Sequence, residues 1–238
     1  DVSGRAGALA RIVRLDERTT VLRRTADDDD PVERVVVANA DQLVIVTSVA
    51  EPEPRPRLID RCLVAAYDSG LEPLLCVTKT DLGDSSSLLA IYSPLGVATV
   101  TTALGANLGA LTERLAGRWS VLVGHSGVGK STLVNALVPG AERAVGQVNV
   151  VTGRGRHTST SAVALLLPSG GWVIDTPGIR SFGLAHVDPR HLVHAFPDLV
   201  RETKDCPRGC THAAGEPECA LDVAVDAGRI ARARVDSF

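Results

Sequence analysis

Apolar positions in the middle of the chain come in short unbroken runs, not in strict alternation. Leu43-Val44-Ile45-Val46 is the first, followed by Pro73–Val77, Val97–Val100 and Trp119–Val123. Such runs suit strands buried on both faces. Between them lie stretches of helical character: Leu58 to Ser69 closed by Gly70, residues 84–93, and Leu108 to Leu115 closed by Gly117. Strand and helix therefore alternate over about 80 residues, which predicts a parallel α/β sheet. A further helical run, Ser131 to Leu137, is followed by irregular residues 140–160. Ala162–Leu167 and Trp172–Ile174 then flank Pro168-Ser169-Gly170-Gly171, which predicts a hairpin that adds one antiparallel strand.

The two ends of the chain read differently. Residues 8–15 and 19–23 are short, β-prone segments. Two strands cannot bury a core alone, so they read as the tail of a small β domain. Asp27–Asp30 with Pro31 reads as a solvated acidic loop. Beyond Gly178, histidines, prolines and cysteines replace apolar runs, and a boundary is expected near residue 184.

Composition narrows the class. A chain of 238 residues with 45% hydrophobic and 22% charged positions is expected to be soluble and globular. A net charge of −3 leaves any nucleic-acid contact to local basic patches. Aromatics at 3% make a base-stacking platform improbable. No apolar run is long enough to span a bilayer, and no signal peptide is visible. A chain that starts at Asp1 and contains no methionine is expected to be a piece of a longer product. Five cysteines, three of them clustered late, suit a reducing cytoplasm and a metal site better than a disulfide framework. Nothing demands a dimer, so a monomer is expected.

The strand 119–123 runs into Gly124-His125-Ser126-Gly127-Val128-Gly129-Lys130-Ser131-Thr132, a G-x-x-x-x-G-K-S phosphate loop in its proper strand–loop–helix context. Its backbone N–H groups would cradle phosphates, Lys130 would reach the β- and γ-phosphates, and Ser131 would ligate Mg²⁺. Asp175-Thr176-Pro177-Gly178 closes the second hairpin strand. Its carboxylate would hold Mg²⁺ directly or through water, and the Gly178 N–H would meet the γ-phosphate. Thr78-Lys79-Thr80-Asp81 ends the strand 73–77. Asp81 can accept from the N1–H and exocyclic amine of guanine, a donor pair that adenine lacks, and the Lys79 stem could lie over the base. Thr101-Thr102 either offer N–H groups to guanine O6 or simply end a strand.

Thr152–Thr160 is a mobile glycine-rich loop by one reading. By another, a threonine in it, Thr158 or Thr160, completes the Mg²⁺ shell, and Arg154, Arg156 and His157 meet RNA phosphates. Ile179 stands where many GTPases carry a water-orienting glutamine. His157 is the candidate to replace it; the alternative is an ordinary exposed histidine. Cys206, Cys210, His212 and Cys219 form a Cys₃His set suited to a closed, structural Zn²⁺ site. Cys62 and Cys76 sit inside apolar runs and read as buried hydrophobes.

The base-reading motif precedes the phosphate loop, the reverse of the usual GTPase order, so the fold reads as a circular permutation. The segment after Asp175–Gly178 then leads directly into the cysteine cluster, and nucleotide state could be passed to that region. With Asn39-Ala40-Asp41-Gln42 ahead of the first sheet strand, Gly155–Thr160, and Ile179-Arg180-Ser181-Phe182 after D-T-P-G, these motifs closely resemble the bacterial small-ribosomal-subunit-dependent, circularly permuted GTPases of the RsgA/YjeQ family. The resemblance covers nearly the whole chain.

It implies an α/β protein with three parts: residues 1–36 as the C-terminal part of an OB-fold, 37–184 as a circularly permuted GTPase domain, and 185–238 as a small, mainly helical zinc domain. It also implies late maturation of the small (30S) ribosomal subunit, contact with its rRNA, hydrolysis of GTP stimulated by that subunit, and a catalytic role for His157. Two departures stand out. The metal spacing here is C-x3-C-x-H-x6-C against the family's C-x4-C-x-H-x5-C, and Ser159 takes the place of a usual threonine. A different reading is an RNA-binding placeholder controlled by GTP, in which hydrolysis is incidental. An ATP-dependent enzyme is disfavoured by Asp81.

Overall fold

The computed structural model describes residues 2–3, 11–12, 14, 17–141, 162–177, 182–187, 193, 196–213 and 215–237. Near the N-terminus, β1 (Val2–Ser3) pairs antiparallel with β2 (Arg11–Ile12), and β3 (Val21–Arg24) with β4 (Arg34–Ala38). The main elements follow in the order β5 (Gln42–Ser48), α1 (Pro56–Asp68), β6 (Glu72–Thr78), α2 (Ser86–Tyr92), β7 (Ala98–Thr101), α3 (Gly109–Leu115), β8 (Trp119–Val123), α4 (Lys130–Leu137), β9 (Val163–Leu166) and β10 (Trp172–Asp175). The described C-terminal helices are α5 (Pro197–Glu202), α6 (Ala220–Asp226) and α7 (Arg232–Ser237).

The apolar runs form the expected sheet, in the order β7-β6-β5-β8-β10-β9, parallel except for β9. All seven residues of β5 are buried, which is why its sequence shows no alternation. Leu43, Ile45, Leu75, Val77, Val121 and Val123 face one side, against Ile59, Leu63 and Ala66 of α1. Val44, Val46, Leu74, Cys76 and Leu122 face the other, against Leu111, Leu115, Leu133 and Val134 of α3 and α4. Each fully buried aliphatic side chain here is worth about 1.5–3 kcal/mol. From β5 the chain builds outward to β6 and β7, then returns to lay β8 on the other edge of β5. The strand order reverses between β5 and β8, and ligands of open α/β sheets bind beyond the C-terminal strand ends at such a point.

Two expectations for the N-terminal region need correction. β4 was not anticipated, because its apolar core, Val35-Val36-Val37, is short and follows an acidic, proline-containing stretch; the expected boundary at residue 36 falls inside it. Nor is the acidic run simply solvated. Asp27 accepts the backbone N–H groups of Asp29 and Asp30 (3.2 and 2.8 Å), Asp30 pairs with Arg34 (2.7 Å), and Asp28 forms a two-pronged pair with Arg61 of α1. Its long-range partner lies on a different element, which a local reading of charge could not reveal. The hairpin also inserts Leu22, 1% exposed, into the α1-side core.

At the C-terminal end, Arg234 of α7 bridges to Asp198 of α5 (3.0 Å), lies 4.7 Å over the Phe196 ring, and comes within 3.9 Å of Asp60 on α1. Burial pushes the Asp60 carboxyl up to about 6, and Arg234 pulls against that shift.

Candidate functional site

At the mouth of β8 the chain passes so close to β5 that a Cβ on Gly124 would lie 2.2 Å from the Val46 carbonyl oxygen. Glycine is required there for the close approach. The turn continues to Gly129, in the left-handed region, and α4 begins at Lys130. The Lys130 ammonium folds over the loop and donates to the carbonyls of Gly124 (2.7 Å) and His125 (3.1 Å). It is 7% exposed, and burial pulls its pKa down to about 8 while the nearby Asp175 opposes that. Asp175 is itself buried at the end of β10, in register with Leu122 of β8. The Thr176 hydroxyl donates to the Leu122 carbonyl at 2.6 Å and ties the start of D-T-P-G to the strand that enters the loop.

The T-K-x-D motif arrives from β6, on the far side of β5, and meets the phosphate loop directly. The buried Thr78 hydroxyl lies 2.6 Å from the Val128 carbonyl oxygen and 3.1 Å from that of Thr47. Thr78 is therefore a brace between the two motifs. Lys79 takes a positive φ of 57°, and its ammonium donates to the Glu51 carbonyl. Asp81 is exposed beyond it. The Thr80 N–H and hydroxyl both donate to the Thr102 carbonyl, each at 3.2 Å. Thr102 does not offer its N–H as expected: that group is bonded to the Val77 carbonyl at 2.8 Å. Thr101 lies within β7, paired with Val77. Ala103 and Leu104 follow at the next turn, half-buried and exposed.

Sequence reasoning missed the loop after β5. Thr47, Glu53, Arg55 and Cys62 line one cleft with Gly124, His125 and Val128. The signal available was topological: β5 is one of the two strands at the reversal point. Asn39-Ala40-Asp41-Gln42 turns out to be a clasp. Asn39 accepts the Thr19 N–H (2.9 Å), Asp41 accepts that of Trp119 (2.8 Å), and Gln42 accepts the Ser120 hydroxyl (3.2 Å). Cys62 and Cys76 are fully buried, and burial pushes both thiols up to about 12, as expected of inert packing residues. Thr152–Thr160 with Arg154, Arg156, His157, Thr158 and Thr160, and Gly178 with Ile179, lie outside the described residues.

A second cluster lies between α5 and α6. The ligand atoms of Cys206, Cys210, His212 and Cys219 all fall within 4.8 Å of one another. His212 Nδ1 lies 3.6, 3.3 and 3.7 Å from the three sulfurs in chain order. A tetrahedral Zn²⁺ with ordinary Zn–S and Zn–N bonds would set N···S edges of about 3.5 Å, so the donor set fits that ion. The Ala220 N–H donates to the Cys206 sulfur (3.3 Å), as second-sphere donors to thiolates do. The departure in spacing therefore leaves four convergent donors. Among the described residues, no helix is long and apolar enough to cross a membrane.

A phosphate loop at the reversal point of a parallel sheet, braced by a T-K-x-D motif from earlier in the chain, defines a circularly permuted P-loop nucleotide hydrolase. Residues 15–185 match the RsgA GTPase family, and the chain belongs to that family. It is 40% identical over 237 residues to the small ribosomal subunit biogenesis GTPase RsgA of Chlorobaculum tepidum, covering 95% of this chain and 76% of that protein. The protein of the same name from Pseudomonas fluorescens is 44% identical over 233 residues, covering 93% and 66%. Among solved structures, YjeQ from Thermotoga maritima superposes with a TM-score of 0.74 at 31% identity, covering 99% of this chain and 78% of that one. YloQ, described as a circularly permuted GTPase, gives 0.71 at 26%, covering 99% and 75%.

Proposed function

We propose that this chain hydrolyses GTP in the biogenesis of the small ribosomal subunit, and that it works in the cytoplasm as a monomer. The observation that carries the reading is the Thr78–Val128 brace, which holds a guanine-reading motif and a phosphate-binding loop at fixed separation. Gly124–Thr132 hold the phosphates. Phosphate oxygens would replace the carbonyls that now accept from Lys130 and favour its charged form. Ser131 and Asp175 hold Mg²⁺, with Thr158 or Thr160 completing its shell, and Gly178 meets the γ-phosphate. Asp81 selects guanine, Thr80 and Thr102 set its loop, and Ala103 and Leu104 supply the O6 donors. His157 stands in for the glutamine that Ile179 replaces.

Cys206, Cys210, His212 and Cys219 hold one structural Zn²⁺, which staples residues 185–238 as a small domain. The residues up to the end of β4 supply the end of an OB-fold. Both flanking parts, with Arg154 and Arg156, contact rRNA through its phosphates. The test is steady-state GTP hydrolysis with and without purified small subunits. Large stimulation by small subunits and little by large ones is expected. Guanine-nucleotide binding with no stimulation would overturn the ribosomal assignment and leave the nucleotide site standing.

A further inference from the structure

The described stretches on either side of residues 178–181 are each anchored, and the downstream anchor is the N-terminal hairpin. Upstream, the Thr176 hydroxyl is bonded to Leu122 of β8. Downstream, Thr25 and Gly183 exchange two backbone hydrogen bonds, at 3.1 and 3.2 Å, in an isolated antiparallel bridge. The Leu184 N–H donates to Asp28 Oδ1 at 3.0 Å, and the Ala185 N–H lies 3.4 Å from the Thr25 hydroxyl. Arg61 of α1 closes the bracket, with one guanidinium donating to both the Asp28 carboxylate and the Phe182 carbonyl (3.0 Å). The fit leaves no room for change: a Cβ on Gly183 would lie 2.3 Å from the Asp27 carbonyl oxygen. Phe182 and Thr25 are 1% and 0% exposed.

We propose that the Thr25–Asp28/Arg61 bracket on residues 182–185 is the joint through which the bound nucleotide and the N-terminal β region sense each other, with Asp28 and Arg61 as positioning residues. This rests on the GTPase reading. Four residues, 178–181, lie between Pro177 and Phe182 in the sequence, so the two anchored stretches are at most about 18 Å apart. A γ-phosphate that draws the D-T-P-G backbone toward itself would load the bracket through this short connection. Linkage makes the effect reciprocal: whatever engages the N-terminal region shifts the balance between GTP and GDP by the same factor. This route differs from transmission into the cysteine cluster, because among the described residues the first anchor after D-T-P-G is the hairpin.

The experiment is amide hydrogen exchange at Thr25 and Gly183 in the whole chain, read with GDP and with a non-hydrolysable GTP analogue after binding of each has been measured by titration. The Asn39 N–H, bonded to the Thr20 carbonyl at 2.9 Å in the same hairpin, is the internal control. A change of about 5-fold or more at Thr25 and Gly183, and none at Asn39, is expected. Asp28→Asn and Arg61→Gln, each shown folded by an unchanged Asn39 rate, should shrink that difference and shift the GTP-to-GDP affinity ratio by the same factor. Binding of both nucleotides with equal exchange at Thr25 and Gly183 overturns the inference alone. A difference that persists undiminished in both variants overturns the roles of Asp28 and Arg61. Failure of either nucleotide to bind overturns the GTPase reading and the inference with it.

Discussion

The sheet region and the C-terminal stretch hold their candidate sites in opposite ways. Around the phosphate loop, five parallel strands with both faces covered fix the backbone, and the site is made largely of that backbone: glycines, carbonyls and the ends of β8, β6 and β10. In the described residues from 196 onward there is no strand, the helices are six or seven residues long, and isolated helices of that length are not stable. What converges there is side chains: four metal-type donors and the Arg234 network. The first site is a consequence of the fold. The second, with a metal bound, would help to make the fold around it.

Metal removal is the largest test of that contrast. Structural Zn²⁺ contributes about 10–16 kcal/mol of apparent binding free energy in small domains. Chelation, or Cys210→Ser, should therefore abolish ordered structure in residues 196–237, read as lost helical signal and exposed protease sites. Nucleotide affinity of the sheet region should change little. Unfolding of the entire chain on chelation would break the comparison, because the two regions would then be one cooperative unit.

Next in size is a change that tests whether the sheet region's backbone site carries a side-chain reader. Asp81→Asn replaces two acceptors with one donor and one acceptor. Xanthine keeps the N1–H of guanine but has a carbonyl in place of the amine, so the variant should lose GTP affinity and gain xanthosine triphosphate affinity. Sites built around such hydrogen bonds discriminate by about 10⁴-fold. Equal GTP binding by both proteins in a titration would remove Asp81 from the site.

Arg234→Ala comes third. Breaking a buried ion pair from one side costs about 3–5 kcal/mol, and here the guanidinium serves Asp198, Asp60 and the Phe196 face together. The loss should depend on pH. The Asp60 pKa is raised, to about 6, above its unfolded value; the proton it binds stabilises the fold at low pH, and that contribution fades as pH rises through about 6. Below that value Asp60 is neutral and needs no cation. The variant should therefore be damaged more above about pH 6 than below it, measured by thermal melting across that range. A pH-independent loss would assign the effect to Asp198 and Phe196 alone.

The same contrast explains what the sequence disclosed. Strands β5, β6 and β8 were legible because burial on both faces writes continuous apolar runs, and the phosphate loop because its chemistry demands fixed residues at fixed spacing. The Cys₃His set was legible for that second reason, although no periodicity marks the region around it. Contacts between distant segments were not legible. Nothing local to Asp28 announces Arg61, nothing local to Asn39-Ala40-Asp41-Gln42 says that it clasps the start of β8, and the fate of the Thr102 N–H depends on a strand some 25 residues earlier, as parallel pairing requires. β4 escaped because three valines beside a charged loop carry too weak a pattern.

Thr78→Val is the smallest and most exacting test, because it leaves shape intact and removes one hydroxyl. The Thr78 oxygen is buried between the carbonyls of Val128 and Thr47. With valine there, the Val128 carbonyl loses its partner, and a buried group left unpaired costs about 1–3 kcal/mol. If the brace only stabilises the fold, melting temperature falls and nucleotide affinity stays. If it holds the base-reading motif in register with the phosphate loop, GTP affinity falls about 10-fold or more while GTP and its base-free triphosphate come to bind alike, since the gain from engaging both motifs at once is what misregistry removes. Titration of the two ligands separates these outcomes. The second is expected, because Thr78 joins the two motifs at the place where the strand order reverses.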